Sequence, residues 1–385
     1  MECGQVDRFL AEHRPPTPCL VLDLDVVRSQ YRALRADFPQ VDIYYAVKAN
    51  PAAEVIGALA ALGARFDLAS AGEIERCRAL GIPSERFSFG NTIKRERDIR
   101  AAFAAGIDLF AFDSAAELDK LVRSAPGARV FCRILVRNVG AEWPLTRKFG
   151  CESRMAVDLL LEARRRGLHP MGVSFHVGSQ QTDPNQWASA IAHAAWIFRA
   201  CAHRGLTLEL LNLGGGLPAH YRTPVPPLAA YAETIEGALA REFASSRPRI
   251  LLEPGRYLVG DAALLRTEIL LISRKSPHES ERWVYLDAGL YNGLDETLGE
   301  RIHYRTRTAR DGGAGGPVIL AGPTCDSTDI LYARGHYELP LDLAIGEHID
   351  FLSAGAYTAS CAAVEFNGFS PLKSYFVGVG VKLGR

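Results

Sequence analysis

Between residues 41 and 256, eight short runs rich in β-branched, aromatic and aliphatic residues alternate with longer stretches of helical periodicity. The runs are VDIYYAV, ARFDLAS, RFSFGNT, DLFAFDS, RVFCRILV, GVSFHVGS, LELLNLGGG and RILLEPGR. Several helical stretches end at a glycine, which suits a left-handed cap. Eight strand–helix repeats over roughly 220 residues predict a parallel (β/α)8 barrel, an α/β fold. An open doubly wound sheet is the alternative, but its G-x-G-x-x-G fingerprint is absent.

After about residue 262 the pattern changes. The strand-like runs LLRTEILLIS, RWVYLDAG, GPVILAG, HIDFLSAGAY and KSYFVGVGVKL follow one another through turn-rich connections. The N-terminal segment TPCLVLDLDVV is also strand-like and is a candidate member of the same sheet. We therefore expect a barrel domain over residues 30–262 and an all-β domain formed by residues 1–29 plus 263–385.

Charge and composition exclude several classes of partner. The chain has 44 lysine and arginine residues against 44 aspartate and glutamate residues, so no footprint for nucleic acid or an anionic membrane is expected. No apolar run approaches the ~20 residues that cross a bilayer, and the polar N-terminus argues against a signal peptide. Eight cysteines are scattered without C-x-x-C or metal-ligand spacing. We expect a cytoplasmic protein with no metal site.

The polar residues of the barrel segment fall where its strands end. Parallel barrel strands are buried, and barrel enzymes carry their chemistry at the carboxyl ends of those strands. One polar residue at a strand end would mean little, but six strands that share the feature predict a site there. The residues are Lys48, Asp67, Arg133, His176, Gly214 to Gly216 and Glu253.

Each of these residues also has an ordinary structural interpretation. A lone lysine at a strand end usually extends to water, whereas a desolvated lysine can condense with an aldehyde. His176 fits a hydrogen-bonded core histidine, and Glu253 fits an ion pair with Arg256. Three glycines after a barrel strand can wrap a phosphate with bare backbone N–H groups, although most glycine runs are turns.

Taken together, the motifs resemble the fold-type III pyridoxal-phosphate decarboxylases, the ornithine and diaminopimelate decarboxylase family related to alanine racemase. The resemblance covers nearly the whole chain and is strongest to bacterial ornithine and lysine/ornithine decarboxylases. The matching segments are YYAVKANP, FDLAS, GNTIK, FDS, WPLTRKFGC, SFHVGSQQ, NLGGGLP, LEPGR, GPTCDSTDI, GAYTAS and EFNGF.

The resemblance implies a role for each matching residue. Lys48 would carry the cofactor covalently, Asp67 and Arg133 would hydrogen-bond around it, His176 would stack on its ring, and Glu253 would pair with the pyridine nitrogen. The phosphate would be held by Ser179, Gly214, Gly215, Gly216, Arg256 and Tyr357. Lys148 resembles a lysine that supports the dimer interface.

The resemblance also implies a homodimer with shared active sites. Cys325 and Asp326 would come from the second subunit, Cys325 as the acid that protonates Cα and Asp326 as the ligand of a distal ammonium. Phe366 would line the same site. Diaminopimelate decarboxylases usually have Cys-Glu-Ser where this chain has Cys-Asp-Ser, so the substrate expected is a basic amino acid, with ornithine giving putrescine for polyamine biosynthesis.

One position departs from the family pattern. Eukaryotic ornithine decarboxylases have a second aspartate where this chain has Ala288. Asp287 should face the other side of its strand, and Asp295 or Glu296 is the candidate replacement. The choice between ornithine, lysine, diaminopimelate or another basic substrate therefore stays open.

Two further functions compete with decarboxylation. A racemase of this fold would use Lys48 and a partner tyrosine as its two bases, but the Cys325-Asp326 pair favours decarboxylation. An inactive relative that binds a regulatory protein, as antizyme inhibitors do, would typically lose cofactor contacts that this sequence keeps.

Overall fold

The computed structural model describes residues 4–145, 147–244 and 246–380. Within them, no helix combines the length and the apolar character that a membrane span requires. The helices are α1 (Gln5–His13), α2 (Leu24–Asp37), α3 (Ala53–Ala61), α4 (Ala71–Ala79), α5 (Glu96–Ala104), α6 (Ala115–Ser124), α7 (Ser153–Arg165), α8 (Asn185–His203), α9 (Leu228–Glu242) and α10 (Arg256–Val259).

The strands come in two groups along the chain. The first group is β1 (Cys19–Asp23), β2 (Val41–Ala46), β3 (Arg65–Leu68), β4 (Phe87–Phe89), β5 (Leu109–Phe112), β6 (Arg129–Arg133), β7 (Ala141–Trp143), β8 (His169–Ser174), β9 (Ser179–Gln181), β10 (Leu210–Asn212) and β11 (Arg249–Leu252). The second group is β12 (Ala263–Ser273), β13 (Arg282–Leu286), β14 (Thr306–Thr308), β15 (Gly315–Ala321), β16 (Ile330–Pro340), β17 (His348–Leu352) and β18 (Lys373–Val377).

The chain divides into two compact units, one of residues 30–218 plus 225–257 and one of residues 1–29, 219–224 and 258–385. We propose that these units are the two domains expected from the sequence. The structure assigns residues 219–224 to the second unit, whereas the sequence prediction included them in the barrel.

The first unit is a closed parallel barrel with the strand order β10-β11-β2-β3-β4-β5-β6-β8, among the described residues. The predicted (β/α)8 fold is confirmed, and each of the eight predicted runs coincides with all or part of one barrel strand. Apolar side chains from several of its strands pack against one another and are buried. One buried cluster consists of Tyr44, Leu109, Ala111, Phe131, Leu210 and Leu251.

The carboxyl ends of neighbouring barrel strands are in register, so the polar residues at these ends lie close together. Ala46 pairs with Asp67, Asp67 with Ser88, and Asn212 with Ser174. The segments that follow β6 and β8 also form a short antiparallel pair, β7 with β9, which the sequence did not predict. This pair brings Ser179 level with Trp143.

The second unit is a mixed sheet with the order β14-β17-β12-β13-β15-β16, and β1 pairs with β12 and β18. The expectation that the N-terminal run joins this sheet is correct only for Cys19–Asp23. Asp23 accepts the Asp25 N–H at 2.8 Å, which favours a helix start, so the following LDVV begins α2 instead of extending the strand. Phe9 and Leu10 of α1, a helix the sequence did not predict, pack on this sheet against Val21 and Leu264.

Gly172 is one point where the barrel depends on the absence of a side chain. A Cβ at Gly172 would lie 1.7 Å from the Leu210 carbonyl oxygen of the neighbouring strand, so the two backbones would have to separate. We expect Gly172→Ala to lower the free energy of unfolding by about 1–3 kcal/mol, measured by urea denaturation.

Gly57, in the middle of α3, provides the matched control. A Cβ there would meet no atom within 4 Å, so Gly57→Ala should raise the free energy of unfolding by up to ~1 kcal/mol through helix propensity alone. Equal effects of the two substitutions would contradict the close approach of β8 and β10.

Candidate active site

Lys48 follows β2 directly, in a single 3-10 turn formed by Val47–Ala49. The Tyr45 hydroxyl donates to the Asn50 carbonyl oxygen at 2.8 Å, which fixes the chain on the far side of the lysine. The Lys48 side chain is 47% exposed, and its Nζ lies 4.0 Å from Asp67 Oδ2. The amine therefore stands at the open end of the barrel with one buried carboxylate beside it.

Asp67 is buried near the end of β3, where Ser88 Oγ donates to its Oδ1 at 3.3 Å. A Cβ at Gly90 would lie 1.9 Å from that same oxygen, so the GNT loop can approach the carboxylate only as glycine. Loss of hydration raises the pKa of Asp67, and the positive charges of Lys48 and Arg133 oppose this effect. Ser88 was not identified from the sequence.

Arg133 ends β6, and its charge is balanced by acids from different strands. Burial lowers the pKa of the Arg133 guanidinium, while Glu253, Asp67 and Asp113 raise it. The guanidinium carbon also lies 5.0 Å from the centre of the Phe149 ring. Lys148 lies beside the same ring, with its Nζ 5.0 Å from the ring centre.

His176 follows β8 and is half-buried. Its Nδ1 accepts the Gly178 N–H at 3.1 Å, so in the neutral ring the proton lies on Nε2. Burial, together with the positive charges of Arg133 and Lys48, holds the pKa of His176 well below its usual value. The imidazole is therefore neutral at physiological pH and can offer a ring face to a flat ligand.

Glu253 follows β11, and Asn212 at the end of β10 donates its Nδ2 to Glu253 Oε1 at 2.5 Å. Loss of hydration and the nearby Asp67 raise the pKa of Glu253 to about 7, while Asn212, Lys48 and Arg133 act in the opposite direction. The carboxyl group therefore changes protonation state near neutral pH, and in its ionised form it can accept a hydrogen bond from a cationic ring nitrogen.

The three glycines after β10 form a cradle that side chains would fill. A Cβ at Gly214 would lie 2.0 Å from Phe175 O, one at Gly215 would lie 2.7 Å from Glu253 O, and one at Gly216 would lie 2.6 Å from Gly178 O. Gly214 and Gly216 also have φ values of 66° and 122°, in the region that favours glycine. The Gly214 N–H donates to Asn212 Oδ1 at 2.9 Å, and the bare backbone of Gly215 and Gly216 leaves space for an anion.

Arg256 and Ser179 lie together in the same unit. Arg256 is buried, and its Nε and Nη2 lie 3.3 and 3.1 Å from Ser179 Oγ. The barrel unit therefore brings together an amine, a neutral imidazole, a carboxylate poised near neutrality, a glycine cradle and an arginine–serine pair. This set fits pyridoxal phosphate: a lysine for its aldehyde, a carboxylate for its pyridine nitrogen and an anion cradle for its phosphate.

In the second unit, the GPTCDSTD loop presents Cys325 and Asp326. Cys325 is exposed, and its backbone N–H donates to Asn367 Oδ1 at 3.0 Å. Asp326 accepts from Thr328 N at 2.8 Å and from Thr328 Oγ1 at 2.7 Å. These bonds, together with Tyr291, lower the pKa of Asp326, so its carboxylate is ionised.

Aromatic side chains complete this part of the second unit. The rings of Tyr291 and Phe366 lie 4.6 Å apart, and the Tyr291 hydroxyl is 3.0 Å from Thr328 Oγ1. Phe366 thus lies with the Cys325-Asp326 loop, next to Tyr291, which the sequence interpretation did not name. Tyr357 is half-buried with a φ of 64°, and its carbonyl oxygen accepts the Cys361 N–H.

Asp329 holds the Cys325-Asp326 loop in shape. Its carboxylate accepts from Leu290 N at 2.8 Å, Thr324 N at 3.1 Å and Thr324 Oγ1 at 2.7 Å. A Cβ at Gly289 or Gly322 would come within 2.3 Å of this carboxylate. The loop is therefore built around one buried acid, which the sequence interpretation passed over in favour of its exposed neighbours.

The candidates for a second substrate carboxylate are placed differently from one another. Asp287 accepts the Glu268 N–H at 2.9 Å, so its carboxylate is committed to strand β12. Asp295 and Glu296 lie in a 3-10 segment, and burial together with the charge of Glu296 raises the pKa of Asp295. Ala288 is fully buried.

The raised pKa of Glu253 predicts a pH-dependent stability of the ligand-free protein. Between about pH 4.5 and 7 the folded chain retains a proton that the unfolded chain has lost, so stability falls as pH rises through this range. Glu253→Gln removes this proton, and the stability of the variant relative to wild type should rise between pH 5 and 7.5 by on the order of 1–3 kcal/mol. Urea denaturation at each pH measures it.

The exposed Glu54, in the first turn of α3, supplies the control. Glu54→Gln should give a difference from wild type that stays constant with pH. A constant difference for Glu253→Gln as well would contradict the unusual proton affinity of Glu253.

Comparison with known proteins identifies the family. Residues 24–260 match the family model "Pyridoxal-dependent decarboxylase, pyridoxal binding domain". A lysine/ornithine decarboxylase of Selenomonas ruminantium is 37% identical over 92% of this chain and 88% of its own length.

Solved structures agree. A lysine/ornithine decarboxylase from Vibrio vulnificus, complexed with cadaverine, has a TM-score of 0.86 and 31% identity, with 98% of each chain covered. The arginine decarboxylase of Paramecium bursaria Chlorella virus has a TM-score of 0.88 and 28% identity, covering 97% of this chain and 99% of that one. The chain therefore belongs to the pyridoxal-dependent decarboxylase family, whose cofactor is pyridoxal phosphate.

Proposed function

We propose that this chain decarboxylates a basic L-amino acid in the cytoplasm, with L-ornithine as the preferred substrate and putrescine as the product. The observation that carries the proposal is the ionised Asp326 carboxylate on the Cys325-Asp326 loop, a suitable ligand for a distal ammonium. The names of the relatives support the substrate class, since they act on lysine, ornithine or arginine.

Bound pyridoxal phosphate supplies an electron sink for the pair left on Cα when carbon dioxide departs. Around it we assign one role to each side chain. Lys48 would hold the cofactor covalently through its amine, Glu253 would accept the pyridine N–H, and the neutral His176 would pack on the ring. The glycine cradle, Ser179 and Arg256 bind the phosphate. Asp67 and Arg133 balance the charge beside Lys48.

We further propose that the active enzyme is a homodimer with shared sites. In this arrangement Cys325 and Asp326 of one subunit complete the barrel site of the other, with Phe366 and Tyr291 lining the substrate. The Cys325 thiol then donates the proton that Cα takes up after carbon dioxide leaves. The exposure of Cys325 is consistent with this role, because a buried packing cysteine would not reach a second chain.

The substrate assignment predicts a defined loss in Asp326→Asn. Replacing the carboxylate removes an ionic hydrogen bond to the distal ammonium, so kcat/KM for L-ornithine should fall roughly 10- to 100-fold. The assay is carbon dioxide release from a panel of L-ornithine, L-lysine, L-arginine and meso-diaminopimelate. Asp342→Asn, in an exposed turn after β16, should retain wild-type kinetics.

Each alternative function gives its own result in the same panel. A faster wild-type reaction with lysine or arginine would replace ornithine as the substrate. Conversion of L-ornithine to a mixture of enantiomers without carbon dioxide would establish a racemase. No product from any substrate, in a protein loaded with cofactor, would favour an inactive relative.

The shared site predicts complementation between two inactive variants. Lys48→Ala and Cys325→Ala homodimers should each have little activity. Subunit exchange in an equal mixture should restore roughly a quarter of the wild-type rate, because half of the dimers are mixed and each mixed dimer has one intact site. Activity is measured before and after exchange in mild urea. No recovery in a mixture that demonstrably contains mixed dimers would show that each site belongs to one chain.

A further inference from the structure

Asn212 is a fully buried amide at the end of β10 that none of the roles above includes. Its Oδ1 accepts the Gly214 N–H at 2.9 Å, and its Nδ2 donates to Glu253 Oε1 at 2.5 Å. A backbone N–H can only donate, so it fixes the amide oxygen toward Gly214 and leaves the amide nitrogen for Glu253. The orientation of the side chain is therefore determined by the backbone.

The two partners of this amide belong to the two ends of the cofactor site. Gly214 begins the glycine cradle proposed for the phosphate, and Glu253 is the acceptor proposed for the pyridine nitrogen. The backbone closes the same ring, since Glu253 N donates to Gly214 O at 2.8 Å. A single side chain thus connects β10, the cradle and the end of β11.

The charges around Glu253 show why a neutral donor matters at this place. Asp67 from β3 is the nearby acid, while Lys48 after β2 and Arg133 at the end of β6 are the nearby cations. The Asn212 amide adds a hydrogen bond to the carboxylate without adding charge. Because an amide does not titrate, it provides that hydrogen bond at every pH at which the protein is folded.

We propose that Asn212 is a positioning residue that couples the two ends of the cofactor site, holding the Glu253 carboxylate for the pyridine nitrogen and, through the Gly214 N–H, the backbone of the glycine cradle for the phosphate. The inference rests on the roles proposed above for Glu253 and the glycine cradle. It assigns to one amide the relative placement of two groups that contact opposite ends of the same molecule.

Asn212→Asp is the most informative variant. It retains the size of the side chain and the acceptor for the Gly214 N–H, but places a second carboxylate 2.5 Å from Glu253. Two carboxyl groups this close share one proton, and the protonated pair resembles the wild-type amide–carboxylate pair. Loss of that proton at alkaline pH leaves two anions in contact, which displaces Glu253.

The measurement is the dissociation constant of pyridoxal phosphate, obtained by equilibrium dialysis between pH 6 and 9. We expect the ratio of the Asn212→Asp constant to the wild-type constant to be near one at low pH and to rise to about tenfold or more at pH 9. Asn185→Asp, an exposed position at the start of α8, should give a ratio of one throughout. A ratio that does not change with pH for Asn212→Asp would overturn the proposal.

Asn212→Leu tests the coupling itself. It removes both hydrogen bonds at similar volume, so it should weaken pyridoxal phosphate more than pyridoxal, which lacks the phosphate. When Glu253 is already replaced by glutamine, the loss of pyridoxal affinity caused by Asn212→Leu should largely disappear. If Asn212→Leu lowers the affinity for pyridoxal phosphate and for pyridoxal equally, with or without Glu253→Gln, Asn212 does not couple the two ends of the site.

The same experiments separate this inference from the roles on which it depends. If Glu253 does not pair with the pyridine nitrogen, Glu253→Gln binds both ligands as wild type does. If only the Asn212 inference fails, Glu253→Gln still weakens binding while Asn212→Asp follows the wild type at every pH. Circular dichroism and thermal unfolding of each cofactor-free variant confirm that the barrel has formed.

Discussion

The compensation of buried charges at the carboxyl ends of the barrel strands is the interaction on which the site depends. Asp67, Arg133 and Glu253 lie where hydration is reduced, and each would be costly alone. Together with the partly exposed Lys48 they offset one another in part, and loss of hydration, with the nearby Asp67, raises the pKa of Glu253 to about 7. Burial, with the positive charges of Arg133 and Lys48, lowers the pKa of His176 and keeps its ring neutral.

Rigid backbone accounts for the other half of the cofactor site. The glycine cradle is shaped by approaches to Phe175, Gly178 and Glu253 that a Cβ would prevent, so its backbone is held in place before any ligand arrives. Asn212 links this backbone to the Glu253 carboxylate. A site organised in this way loses little entropy of its own on binding, which favours affinity for a flat, anionic cofactor.

In the second unit, too, a candidate functional loop is held in a fixed shape, here by a buried carboxylate. There a buried carboxylate, Asp329, accepts hydrogen bonds from N–H groups of two loops, while Cys325 is exposed and Asp326 is half-buried. Chemistry can be placed on a loop without loss of precision when the loop is bonded to a buried acid. Tyr291 and Phe366 extend the loop with an aromatic surface suited to the carbon chain of a substrate.

The sequence by itself determined the fold class, and it predicted most of the residues of the proposed cofactor site. The strand pattern recurs with each strand–helix unit of the barrel, and several of its helices end at a glycine. Polar residues at the ends of buried strands stand out against this apolar pattern. Lys48, Asp67, Arg133, His176 and Glu253 were therefore identified as candidates without coordinates. The helix α1 and the β7–β9 pair were missed because short elements have little periodicity and depend on their neighbours. Only the tertiary structure showed the hydrogen bonds of Asn212, Ser88 and Asp329. An amide, a hydroxyl and a turn aspartate are ordinary in sequence, and their meaning lies in which distant backbone groups and carboxylates the fold brings within hydrogen-bonding distance.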